Sequence, residues 1–317
     1  MGKDNAKAAR REKASRGGDI YGCGCDICGS EMRFLRKLSA DTAIYYCKKD
    51  DLYKAARSLP PRIESDAAYF EFLTDFRKNS IRKILDELPK HLIGKSGIAQ
   101  GLEVGCGPGL FMEMAKVRGY SMLGMEPSSG AYRITKEKSL NVIQGMFPED
   151  LPESLTFDFI IFNDVFEHLL NADAALSCCA HHLKPKGVIC INIPVSSGMI
   201  FRVANALVKF NLVGDSYRRL WQIGTPSPHQ YYFSRKSINA LANKRHLEIS
   251  GILVLDAIER SFTKTYKRLR GYNELAADET APGPITAACM AVGLRAINAA
   301  SGLWGGDVNC FFLKVKE

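Results

Sequence analysis

The residues with the clearest chemical purpose lie in Leu102-Glu103-Val104-Gly105-Cys106-Gly107-Pro108-Gly109, where an apolar run ends in three glycines at alternate positions and an amphipathic run follows. That order predicts a strand, a tight turn and a helix start. Glycines tolerate positive φ and place no Cβ between backbone and ligand, while a helix N-terminus presents unpaired N–H groups. Carboxylates flank the turn: Glu103 precedes it, and Glu126 ends the next apolar run, Ser121 to Glu126. Two carboxylates at successive strand ends suit a cationic amino group and a ribose diol, so the stretch reads as a turn for a nucleotide-like ligand. A dinucleotide turn needs G-x-G-x-x-G. The place of its third glycine is Leu110 here, which disfavours nicotinamide and flavin.

An acidic residue, then G-x-G-x-G, then a second acid about twenty positions on, resembles the class I S-adenosylmethionine-dependent methyltransferases. Phe157 to Leu169 is similar to that family's fourth strand and the helix start after it, and Leu183 to Pro194 to its fifth strand with the preceding turn. The resemblance implies an enzyme that uses S-adenosylmethionine. It implies that Glu103, Gly105, Gly107, Gly109 and Glu126 hold the cofactor, with Asn163 and Asp164 meeting its methionine part. The chain departs from the family after the third strand. Many relatives carry an acid directly after glycine there, for the adenine amino group; here Gly145 is followed by Met146 and Phe147. Backbone, Glu149 or Asp150, or packing alone must then read the adenine edge.

Methyl transfer to a hydroxyl needs alignment, exclusion of water and one general base. His229 is the first candidate, because Pro226 and Pro228 stiffen its approach and Tyr231, Tyr232 and Phe233 can desolvate it. Its phrase resembles the P-x-H-x-x-x-F-S stretch of one branch of these methyltransferases. His168, after Glu167 at a helix start, is the second. Each has a structural alternative: His229 as a hydrogen-bonded anchor for a lid, His168 as a cap near the cofactor. An ordinary imidazole in either place titrates near neutrality.

Four of the ten cysteines cluster near the N-terminus. Cys23-x-Cys25-x-x-Cys28, followed by Cys47-Lys48-Lys49-Asp50, resembles a zinc ribbon, in which two tight turns each offer ligands to a tetrahedral ion. Cys25, Cys28 and Cys47 are the expected ligands, with Asp50 or Cys23 as the fourth; the alternative is a degenerate ribbon that holds no metal. A zinc-binding N-terminal module occurs in a subset of sugar and natural-product methyltransferases, the branch this chain resembles. The remaining cysteines stand singly or as a pair in apolar runs, where a reduced thiol acts as a small hydrophobe.

These groups need a frame. Residues 1–20 are basic and poor in apolar side chains, and are expected to be disordered. The cysteine module spans 21–60. A helical linker over 61–98 follows, its apolar residues Tyr69, Phe72, Leu73, Phe76, Ile81, Ile84, Leu85 and Leu88 spaced three and four apart. From 99 to 317, strands near 100–105, 121–126, 140–144, 157–163, 187–193, 246–255 and 309–316 alternate with helices near 109–118, 129–138, 167–182 and 235–244. This predicts an α/β, doubly wound, seven-stranded and mostly parallel sheet, and by the resemblance the last strand inserts antiparallel. Residues 195–234 form an insertion too long for a plain connection and are expected to cover the site as a lid.

Positions 201–270 carry thirteen Lys and Arg against four Asp and Glu, a surplus equal to the net charge of +9 of the whole chain. Such a surface is either a solvated face, a site for an anionic acceptor such as a sugar phosphate or sugar nucleotide, or a lid that rests on anionic lipid headgroups. No nucleic acid is expected, because no RNA-binding or helix-turn-helix signature is present. The N-terminus lacks a secretory apolar core, and Ala6 breaks the myristoylation pattern, so the expected location is the cytoplasm. The resulting expectation is O-methylation of a small, anionic acceptor. The alternative is a non-catalytic scaffold that keeps the cofactor fold for the sake of partners.

Overall fold

The computed structural model describes residues 22–57, 67–92, 94, 97–210, 214–258, 261–266, 269, 284–301 and 305–316. The basic tail over 1–20 lies outside them, as do the side chains of Tyr69, Phe72, Leu73 and Phe76.

The chain opens with three short antiparallel strands, β1 (Arg33–Lys37), β2 (Thr42–Cys47) and β3 (Leu52–Arg57). A long helix, α1 (Ala67–Glu87), leads to the alternating core: β4 (Gln100–Val104), α2 (Leu110–Val117), β5 (Ser121–Glu126), α3 (Ser129–Glu137), β6 (Val142–Gln144), β7 (Phe157–Asn163), α4 (Ala172–His182) and β8 (Leu183–Pro194). The insertion holds α5 (Met199–Leu207), α6 (Gly214–Leu220) and β9 (Tyr231–Tyr232). After it come α7 (Arg235–Lys244), β10 (Leu247–Leu255), α8 (Pro284–Ser301) and β11 (Val308–Val315).

The large sheet has seven strands in the order β10-β11-β8-β7-β4-β5-β6. Strands β4 to β8 pair in parallel, while β11 runs antiparallel to both β8 and β10. All seven residues of β7 are buried, as a parallel strand covered on both faces requires. Strand order reverses at β4, which lies between β5 and β7, and a crevice opens beyond the carboxyl ends there.

On one face of this sheet Ile81, Ile84, Leu85 and Leu88 pack against Phe159, Cys190 and Phe312. On the other, Leu102, Phe162, Ile191 and Phe311 share a core with Cys25 of the preceding turn and Tyr45, Cys47 and Leu52 of the small sheet. The small sheet's opposite face, through Ile44 and Ala55, packs on Phe201, Tyr217 and Trp221 of the insertion. Strand β9 completes it as a fourth strand, with Tyr53 opposite Tyr232 and Lys54 opposite Tyr231. The cysteine module and the insertion, distinct segments in the sequence, are thus joined by backbone hydrogen bonding and a common core.

Two boundaries differ from expectation by several residues: β8 begins at Leu183, four residues before the expected start of its strand, and a helix begins later. The helix expected over 167–182 begins at Ala172, because the Asn171 side chain caps it by accepting the Ala174 N–H at 3.0 Å. Residues Phe166–His168 form a separate 3-10 turn, so His168 stands before the helix and not within it.

Candidate functional site

The strand ends of β4, β5 and β7, the loop after β6 and the segment before β9 surround a cavity of about 320 Å³. One wall is the glycine turn. Gly105, Gly107 and Gly109 have φ of 65°, 52° and 80°, in the left-handed region that favours glycine. Packing adds a second reason. A Cβ on Gly105 would lie 2.8 Å from a Val165 methyl, and one on Gly109 2.5 Å from a Leu140 methyl. The turn is fastened by Glu126, whose Oε2 accepts the Gly107 N–H at 2.8 Å and whose Oε1 accepts the Ser128 N–H at 2.9 Å.

Glu103 lines the cavity and is buried, and its Oε2 has no hydrogen-bond partner among the described residues. Burial holds its carboxyl well above the usual carboxylate range, against the opposing pull of Arg77. An unpaired buried acceptor is costly, and a cationic amino group from a ligand would satisfy it. At the end of β7, Asn192 Nδ2 donates to Asn163 Oδ1 at 2.9 Å and to Asp164 Oδ1 at 3.3 Å. Asp164 has φ 56°, a conformation rare outside glycine, and Arg77 Nε lies 3.3 Å from its Oδ2. Of the two acids weighed for the adenine edge, Asp150 folds back to accept the Met146 N–H at 2.7 Å, while Glu149 lines the cavity.

The opposite wall carries His168, whose imidazole pKa burial pulls down to about 4. Glu167 stands beside it, with Oε1 3.8 Å from His168 Nε2. Burial first, and the nearby Asp164 carboxylate second, push the Glu167 carboxyl well above its usual range. His229 backs this pair: its ring lies 4.8 Å from that of His168, inclined at 62°. It is 4 % exposed, and burial, followed by the neighbouring His168 and Arg57, depresses its pKa. His168 therefore lines the cavity, and His229, which does not, packs against its ring. One ligand atom from each of Glu167, His168 and His229 falls within 4.8 Å of the others, so the three polar groups converge on one point.

The segment that bears His229 is clamped. Arg57 Nη2 donates to the His229 carbonyl at 2.8 Å and Nη1 to Gln230 Oε1 at 2.7 Å, while the Gln230 N–H donates to the Glu167 carbonyl at 2.8 Å.

Away from the cavity, Cys25, Cys28, Cys47 and Asp50 come together with their ligand atoms within 4.8 Å of one another. Cys25 Sγ lies 3.2 Å and Cys47 Sγ 3.5 Å from Asp50 Oδ2, and the Cys28 and Cys47 sulfurs are 3.7 Å apart. Cys23 is not in this group; its thiol lies 3.8 Å from the Gly24 carbonyl.

The profile of a family described as "Methyltransferase domain" matches residues 72–250, over half of the chain. The chain belongs to this methyltransferase family. Its cofactor is S-adenosylmethionine, which the turn and the unpaired Glu103 carboxylate fit. Among curated relatives, the ubiquinone biosynthesis O-methyltransferase of Rhodopseudomonas palustris (strain BisA53) is 27 % identical over 187 residues, 57 % of this chain and 68 % of that protein. The human mitochondrial ubiquinone biosynthesis O-methyltransferase is 29 % identical over 131 residues, 38 % of this chain and only 36 % of that protein. A solved SAM-dependent methyltransferase from Thiobacillus denitrificans, in complex with S-adenosyl-L-homocysteine, shares the fold with a TM-score of 0.50 at 13 % identity, covering 80 % of this chain and all of that one.

Two residues of this methyltransferase's site were not singled out from sequence. Arg77 is four residues before Ile81 and four after Leu73, so a cation interrupts the apolar stripe of α1, which is a readable signal. Arg57 gave none, since the end of a short strand is an ordinary place for arginine.

Proposed function

We propose that this methyltransferase methylates a hydroxyl oxygen of a small acceptor, with His168 as the base. The observation that carries the reading is that His168 is the imidazole lining the cavity among the described residues, kept in its neutral, proton-accepting form by burial. Bound on the opposite wall, S-adenosylmethionine supplies an electrophilic methyl group. Glu103 would hold its amino group. Glu126, at the end of β5 in the cavity wall, would take the ribose diol. His168 accepts the hydroxyl proton, with the Glu167 carboxyl 3.8 Å from its Nε2. The curated relatives named above are O-methyltransferases, which supports oxygen as the target. The basic surplus over 201–270 supports an anionic acceptor. Methyl-labelled cofactor, incubated with the purified chain and separate pools of phenolic acids, sugar nucleotides and amines, is expected to label an anionic hydroxyl compound. Label confined to amines would overturn the O-methylation reading.

We also propose that Cys25, Cys28, Cys47 and Asp50 hold zinc. Zinc–sulfur bonds of about 2.3 Å in a tetrahedron set two sulfurs about 3.8 Å apart, and a sulfur and a carboxylate oxygen about 3.5 Å apart. The separations of 3.7, 3.5 and 3.2 Å lie close to those edges. Purified protein is expected to carry about one equivalent of zinc, and Cys28→Ser to release it and lower thermal stability. Absence of zinc from protein prepared without chelators would leave a metal-free ribbon.

A further inference from the structure

We infer that the cysteine centre positions the acceptor side of the methyl-transfer site: metal held by Cys25, Cys28, Cys47 and Asp50 fixes strand β9, and through it His229 and His168. This rests on the zinc reading above and adds to it a role for Asp26 and Arg57 as positioning residues.

Both turns of the centre grip β9, by different routes. Asp26 lies inside the first turn, between Cys25 and Cys28. Its carboxylate accepts the Tyr231 hydroxyl and pairs with Lys54 Nζ at 2.7 Å, and its carbonyl accepts Lys244 Nζ at 3.0 Å. Tyr231 is fully buried, and its hydroxyl also lies 3.1 Å from the carbonyl of Leu170, a residue of the cavity wall. The second turn supplies Cys47 and Asp50, and two residues later the chain enters β3. That strand pairs with β9 at Tyr53 and Lys54, donates the Ala55 N–H to the Gln230 carbonyl at 2.8 Å, and ends with the Arg57 guanidinium on His229 and Gln230. Burial pulls the Arg57 pKa down to about 10.

Without an ion the four ligand side chains meet only through thiol contacts, which are weak, and the two turns are otherwise joined by the Asp26–Lys54 pair and by packing. Four bonds to one metal would make them a single body. Asp26 and β3 would then hold Tyr231 and His229 in one fixed relation, and the His229 ring is what His168 leans on. The cofactor turn is built otherwise: β4, β5 and the Glu126 carboxylate fasten it within the large sheet. Metal occupancy should therefore alter the acceptor wall and spare cofactor affinity.

The test uses full-length protein with 15N-labelled histidine. The chain has six histidines, and His168→Gln and His229→Gln assign the two signals of interest. Removing zinc with a chelator is expected to shift the ring-nitrogen signals of His168 and His229, and one equivalent of zinc to restore them. Calorimetric affinity for S-adenosylhomocysteine should change less than about threefold (about 0.6 kcal/mol). Asp26→Asn and Arg57→Lys keep every metal ligand. They are expected to retain zinc and to move the same two signals, leaving His91, His181, His182 and His246 in place, and these variants decide the matter even if metal removal unfolds the small sheet. Zinc that leaves and returns without moving the two signals, or variants that retain zinc and leave them unmoved, would overturn the coupling alone. Protein that takes up no zinc, by elemental analysis, overturns the zinc reading and the coupling together.

Discussion

The two walls of the cavity are made in different ways. The cofactor wall uses groups between Glu103 and Asp164, all at the carboxyl ends of neighbouring parallel strands, and backbone amides fasten its key carboxylate. The opposite wall gathers Arg57, Glu167, His168 and His229 from three distant segments, joined by the Arg57 side chain, a ring contact and a few backbone bonds between them. A sheet's switch point is a general cradle, so the first wall follows from the fold. The second is an attachment to that fold, and on the function proposed above it is the wall that meets the acceptor.

If that division is right, the walls should fail separately. The largest expected effect is from His168→Ala: a fall in kcat of about 10²–10⁴-fold, or about 3–5 kcal/mol of barrier, with S-adenosylhomocysteine affinity nearly unchanged. His229→Ala should cost less, since its ring supports rather than faces the cavity. Steady-state kinetics and calorimetry on both variants check this. A His168→Ala enzyme with most of its turnover, beside a dead His229→Ala, would restore the order read from sequence.

Burial of His168 sets a pH dependence. Its folded pKa of about 4 lies below the ordinary 6.5, so the unfolded chain binds more protons between those values. Its contribution to stability is fully present above pH 6.5 and is lost as pH falls through about 4. Buried Glu103 and Glu167, shifted upward, act with the opposite sign, so the His168 share must be isolated by difference. From pH 7 to pH 4, wild type should lose on the order of 3 kcal/mol relative to His168→Gln in denaturant titrations. Parallel curves for the two proteins would mean that the imidazole is solvated. In kinetics, the acid limb should lie well below the near-neutral inflection expected of an ordinary histidine.

The smallest of these effects tests the other wall. Glu126→Ala removes two charge-assisted bonds to the glycine turn as well as the ribose contact, and should weaken S-adenosylhomocysteine binding by about 1–3 kcal/mol. Its labelled His168 and His229 signals should not move. A shift in them would show that the walls are coupled after all.

The contrast also explains what could be read in advance. Glu103, the three glycines and Glu126 were legible because a strand, a turn and a helix start leave a signature within one short window. The Cys25, Cys28, Cys47 and Asp50 set was legible for the same reason, and only the fold separates Asp50 from Cys23 as its fourth member. The relation of His168 to His229 was not. Each lies in a plausible local context, and which ring meets the cavity depends on how β9 docks against the turn after β7, a pairing with no local signal. The helix start was misplaced for a smaller reason: Phe166, Leu169 and Leu170 have helical spacing, yet the cap that decides the boundary is Asn171.

Strand β9 has one practical consequence. Residues 72–250 contain β9 but not the three strands with which it forms its sheet. A chain that begins at residue 61 and keeps the whole large sheet would present an open strand edge at β9 and the uncovered side chains of Phe201, Tyr217 and Trp221 to water. Such surfaces recruit one another. The shortened protein should therefore precipitate or self-associate on expression, and soluble, active material should require the chain from the first cysteines onward.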